Sequence, residues 1–233
     1  MKHKGRRWLR HAGFLASLGL LVGVIAAWTE SPANSNVVGD AAVAPSPGDV
    51  MRGRTSVITH DCGGCHGGFA NPESKGWLAG VMVPDMEFKI PPSCAWTPGA
   101  KPCFTTRPRN LTPDNATGLG RFTERQIHNA LKYGLRPEDT PDVDITSTTP
   151  GKGNFPLHPH YLAPPMPWTT WRYLPEQELW DIAAYLKRGV KPVVNKVADS
   201  EGPPDFWAGE YAKEELYGKA ALPAFPTANE RKP

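Results

Sequence analysis

Five consecutive residues, Cys62-Gly63-Gly64-Cys65-His66, bring two thiols and an imidazole into one turn of chain. The spacing C-x-x-C-H is the attachment pattern of c-type haem. Thiols three positions apart can reach the two vinyl groups of one porphyrin, and the adjacent histidine then falls under the iron. Other uses of a C-x-x-C pair fit less well. A thioredoxin-like pair follows a strand in a βαβ unit, and no such pattern precedes Cys62. A zinc site needs a second ligand pair at close spacing, whereas Cys94 and Cys103 have eight residues between them. The motif therefore predicts one covalent haem c on Cys62 and Cys65, with His66 as an iron ligand.

The iron then needs a second axial ligand or an open site. Candidates are Met82, Met86, Met166, His128, His158 and His160. Met166 is favoured because it lies in Ala163-Pro164-Pro165-Met166-Pro167-Trp168, where prolines stiffen the loop. A thioether held rigidly can meet iron without rearrangement, and a Met/His pair raises the reduction potential. His158 or His160 would give a low-potential bis-histidine alternative. Met82 and Met86 read as packing near the haem edge, and a lone Met is otherwise core filler. His60 and His128 read as surface or satisfied histidines.

Short helices must hold these groups. Asp49 can cap a helix running toward Cys62, with Val50, Gly53 and Val57 on one face. Thr123-Glu124-Arg125-Gln126 is a capping box, followed by the apolar stripe Ile127, Ala130, Leu131 and a terminating Gly134. Pro175 suits the first turn of a further helix, with Glu176 and Glu178 near its positive end. Leu179, Ile182, Ala183 and Leu186 follow at helical spacing, and Lys187, Arg188 and Gly189 close it. Such helices are marginal alone and need a shared core, which a buried haem would provide.

The chain has 233 residues with Lys+Arg 26 against Asp+Glu 23, a net charge of +3. Lys2, Lys4, Arg6, Arg7 and Arg10 account for that sign; without them, 21 basic residues face 23 acidic ones. The body is therefore no nucleic-acid binder. Ala12 to Trp28 follows as 17 uncharged residues, roughly 26 Å as a helix. Basic first and apolar second is the pattern of a secretory signal or an N-terminal anchor, cleaved or uncleaved. Both readings place the remainder outside the cytoplasm, in the periplasm, with anchoring to the inner membrane by residues 12–28 if the segment stays. There, Cys94 and Cys103 are expected to form a disulfide. Proline, 26 residues, is about twice the usual share and points to long loops.

These residues resemble a mono-haem class I cytochrome c, and more closely the cytochrome subunit domains of periplasmic alcohol and gluconate-type dehydrogenases. The resemblance runs from about Gly48 to Val194. It is carried by CGGCH (62–66), WLAG (77–80), Asn110-Leu111-Thr112-Pro113-Asp114, Thr117-Gly118-Leu119-Gly120, ALKYGLRP (130–137), Met166-Pro167-Trp168 and AAYLKRG (183–189). It implies an all-α, class I cytochrome c-like helical fold around one covalent haem, with long irregular loops and an N-terminal hydrophobic helix. It also implies that the helix before Cys62 crosses the last one with Gly53 near Tyr185, and that Met166 is the sixth ligand. The chain departs from the pattern in two insertions, around 90–108 and 138–162, the second long and polar. Pro175 stands where a capping Ser or Thr is usual, and one haem motif is present where such subunits often carry three.

The expected organisation is a signal or anchor (1–28), a flexible tether (29–47), a cytochrome c domain (48–194) and a Pro-rich extension (195–233) that packs back or docks a partner. The expected function is one-electron transfer between a donor, a dehydrogenase or quinol-oxidising complex, and an acceptor such as an oxidase or another cytochrome. Redox proteins are the expected partners, with no small-molecule substrate and no catalytic residues. Trp168 and Tyr173 read as bordering the haem. Arg107 and Arg109 read either as propionate partners or as solvated loop arginines. The alternatives are a peroxidase-like haem enzyme and a ligand-sensing module in which Met166 is displaced.

Overall fold

Asp49 caps the first described helix. Its carboxylate accepts the Arg52 N–H at 2.8 Å and caps α1 (Val50–Thr59). The computed structural model describes residues 48–68, 71–81, 87–90, 104–201 and 225–232. The expected signal or anchor, the tether, Met82, Met86, Cys94, Cys103 and residues 202–224 of the extension lie outside these. Two residues, His60 and Asp61, separate α1 from the C-x-x-C-H residues, which form α2 (Cys62–His66). Then come β1 (Phe88–Ile90), β2 (Phe104–Thr106), α3 (Glu124–Tyr133), a 3₁₀ turn (Pro137–Asp139), α4 (Trp168–Trp171) and α5 (Glu176–Ala184). The antiparallel β1–β2 pair, with Phe88 opposite Thr106, adds a small sheet where the helical reading had an insertion.

Helix α1 buries Gly53 and Val57 against α5. A Cβ on Gly53 would lie 1.8 Å from the Asp181 carbonyl oxygen and 2.9 Å from the Tyr185 Cβ, so only glycine permits this approach. Asp181, buried on α5, then ties the two together. It accepts the Asp49 N–H at 2.6 Å, Arg52 Nε at 2.6 Å and Gln177 Nε2 at 2.9 Å. Burial alone would raise this carboxyl, but these donors hold it below the usual carboxylate range.

Helix α3 starts with the reciprocal capping box of Thr123 and Gln126 and ends at Gly134 in the left-handed region. Pro175 is the N-cap of α5, at the position where the resemblance has a capping Ser or Thr. Its backbone is extended, and its carbonyl accepts from Glu178 and Leu179. The far end of α5 widens into a π turn, Tyr185–Gly189. From that turn Lys187 donates to the Gly120 carbonyl, and Arg188 reaches Glu124 at 2.6 Å and the Gly48 carbonyl at 2.7 Å.

Two apolar clusters result. The first joins α1, α2, α3 and α5 through residues such as Val57, Cys62, Leu78, Ile127 and Leu179. The second contains Phe104, Tyr133, Leu135, Phe155, Tyr161 and Trp168. The polar insertion 138–162 thus carries two buried aromatic anchors, Phe155 and Tyr161. Among the described residues no helix is long and apolar enough to cross a membrane.

Candidate functional site

The turn from α1 into α2 passes through Asp61, a non-glycine residue at φ 51°. That left-handed step redirects the chain so that Cys62 enters the first apolar cluster while Cys65 stays exposed. The two thiols are not bridged to each other. Burial pushes Cys62 up to about 12, and burial followed by the Asp61 charge also raises Cys65. A dithiol redox pair works through a thiolate of lowered pKa. Both thiols here are shifted the opposite way, which disfavours thioredoxin-like chemistry.

Trp77 covers this turn. A Cβ on Gly63 would lie 2.2 Å from the Trp77 ring, so the indole packs directly on the backbone between the two cysteines. Its Nε1–H donates to the Tyr185 hydroxyl at 3.0 Å.

His66 ends α2. Its Nδ1 lies 2.8 Å from the Arg109 carbonyl oxygen. A carbonyl only accepts, so Nδ1 carries the proton. Desolvation holds the imidazole below the usual histidine range, partly opposed by that carbonyl. The ring is therefore neutral at pH 7, with the lone pair on Nε2, which has no hydrogen-bond partner among the described residues. A metal-bound histidine has this arrangement, one ring nitrogen oriented by an outer acceptor and the other ligating. The donor set, two free thiols on one turn and an imidazole with a free Nε2, fits covalent haem.

Met166 is half-buried and packs against the apolar cluster that contains Cys62. Its N–H donates to the Ala163 carbonyl at 2.9 Å, and its own carbonyl accepts from Trp168. The histidine candidates are placed otherwise. His128 is buried, stacked on Trp180 at 4.3 Å, with Nε2 2.8 Å from Glu176. His160 is 3.0 Å from Asp139, and His158 is exposed. His60 lies 3.0 Å from Glu178. Among the described residues no group of three His, Cys, Asp or Glu could hold a bare metal ion.

Trp168, read as a haem neighbour, is fully buried in the second cluster and stacks on Tyr161 at 6.1 Å. Tyr173 lies beneath the Arg172 guanidinium at 5.4 Å. Arg107 and Arg109 are not simply solvated. Arg107 pairs with Glu87 and with Glu201 at 2.9 Å, and Arg109 bonds the Val197 and Ala198 carbonyls. The Arg109 carbonyl was not anticipated, because a backbone acceptor leaves no side-chain signature.

No family model matches the chain. It is similar to the fructose dehydrogenase cytochrome subunit of Gluconobacter japonicus, 24% identical over 144 residues. That alignment covers 62% of this chain and 22% of the relative, so the chain spans about a fifth of that protein's length.

Proposed function

We propose that this chain is an exported mono-haem c-type cytochrome that passes single electrons between redox proteins. Cys62 and Cys65 would attach the haem through thioethers, and His66 and Met166 would fill its axial positions. Bound haem would supply the one-electron chemistry of its iron. The chain's residues bind and orient it. Arg109 fixes the tautomer of His66, Trp77 braces the cysteine turn, and the Pro-flanked Met166 offers a thioether from a restrained loop.

The observation that carries this reading is the His66 Nδ1–Arg109 carbonyl bond, which leaves Nε2 as a neutral donor beside two unbridged thiols. The similarity to a cytochrome subunit of a dehydrogenase supports a redox partner of that type. The basic and apolar stretch of residues 1–28 supports export. A peroxidase-like enzyme or a ligand sensor needs an axial position that opens; the packing of Met166 on the Cys62 cluster favours the carrier.

The test is the full chain made in a host competent for cytochrome maturation. One covalent haem by mass and a low-spin, six-coordinate spectrum are expected. Colourless protein with both motif thiols free to alkylate would overturn the proposal. Carbon monoxide binding to the reduced form at neutral pH would move it to the sensor class.

A further inference from the structure

After α5 the chain turns back, and residues 193–201 cross over the segment that supplies His66 with its carbonyl partner. Asn195 grips both sides of Gly80. Its Nδ2 donates to the Ala79 carbonyl at 2.7 Å and to the Val81 carbonyl at 3.2 Å. Gly80 in turn donates its N–H to the His66 carbonyl at 2.7 Å. Gly80 has φ 83°, and a Cβ there would lie 2.7 Å from Val197 Cγ2, 2.8 Å from the Asn110 nitrogen and 2.9 Å from the Arg109 carbonyl carbon. One small residue is therefore pressed between Val197, the end of α2 and the peptide whose oxygen meets His66.

The other side is closed as well. Arg109 reaches the Val197 carbonyl at 3.1 Å and the Ala198 carbonyl at 3.2 Å. Buried Asn110 donates to the Val193 carbonyl at 2.8 Å and accepts the Thr112 N–H at 2.9 Å. Thr105 and Glu201 exchange backbone hydrogen bonds at 2.7 and 2.8 Å. The Arg109 and Asn110 bonds hold this peptide's two residues to the segment, and the Thr105–Glu201 pair anchors its far end.

We infer that residues 193–201 form a positioning strap, in which Asn195 and Val197 hold the Arg109 carbonyl against Nδ1 of His66. The inference rests on the haem reading above. An outer acceptor on the non-ligating nitrogen raises the electron donation of a ligating imidazole. More donation favours the oxidised iron, so loosening the strap raises the reduction potential. Asn195 and Val197 are both uncharged, so neither substitution below alters local charge.

The test uses the full, haem-loaded chain with Asn195→Ala, the gentler Val197→Ala, and Val194→Thr as a control on the same segment, where the residue is 78% exposed. Two quantities are measured: the midpoint potential, and the solvent exchange of the His66 Nδ1 proton by NMR. Asn195→Ala and Val197→Ala are expected to raise the potential and speed exchange several-fold, with Val194→Thr matching the wild type. Unchanged potential and exchange in Asn195→Ala, even with lowered thermal stability, would overturn the strap. If that variant does not accumulate, Val197→Ala decides on the same readouts. Wild-type chain lacking covalent haem would remove the functional reading together with the strap, whereas haem-loaded wild type with unresponsive variants removes the strap alone.

Discussion

The Trp77 indole N–H donates to the Tyr185 hydroxyl at 3.0 Å, both groups buried and 108 residues apart in sequence. Trp77 lies on Gly63 between the motif cysteines, and Tyr185 opens the π turn at the end of α5. The bond thus connects the C-x-x-C-H turn to the last helix. Trp77→Phe leaves a buried hydroxyl without its donor and should cost about 1–3 kcal/mol. Tyr185→Phe should cost a similar amount, and the double variant less than their sum, because each has already broken the same bond. Urea unfolding measures all three; strict additivity would mean that the two side chains do not act together.

Gly53 sets the distance between α1 and α5. Gly53→Ala places a methyl group into the Asp181 carbonyl, and backbone cannot yield as a flexible side chain does. A loss of about 3 kcal/mol is expected, with less folded protein recovered. Thermal unfolding within a degree or two of wild type would show that the helices separate at little cost.

Glu176 makes stability depend on pH. Burial raises its carboxyl, but His128 and Lys132 outweigh that and bring it to about 2, from an ordinary 4.5. A depressed carboxylate contributes stability in full above 4.5 and loses it as pH falls from 4.5 toward 2. The side chain is 45% exposed, so screening leaves roughly 1 kcal/mol. Glu176→Gln should flatten the stability profile across that acid range. An acid limb that overlays the wild type would assign the loss to other carboxylates.

Met166→Ala should leave the haem attached through Cys62 and Cys65 while removing the proposed thioether ligand. The weak sulfur–iron charge-transfer band is expected to vanish, the potential to fall and exogenous ligands to bind faster. An unaltered optical spectrum would place the sixth ligand elsewhere, with Met82 and Met86 next to be tested.

Short-range patterns were readable without coordinates because their chemistry is confined to one turn of chain. The C-x-x-C-H spacing, the Asp49 cap, the Thr123–Gln126 box and the stripe on α5 belong to this kind. Pro175 stands at the N-cap of α5, where its fixed φ still lets its carbonyl accept the first helical bonds. The Gly53–Tyr185 contact was named through a family resemblance rather than by any local rule.

What folding alone decided joins residues far apart through backbone groups. The Arg109 carbonyl on His66, the grip of Asn195 around Gly80 and the lid that Trp77 makes over Gly63 depend on which peptides meet in space, and a carbonyl oxygen is the same in every residue. The insertion 138–162 looked polar because its average composition is, yet Phe155 and Tyr161 bury themselves, since two aromatic anchors suffice to seed a second core. Linear spacing thus names the groups proposed to hold a porphyrin; long-range packing chooses which nitrogen of His66 carries the proton and which keeps its lone pair.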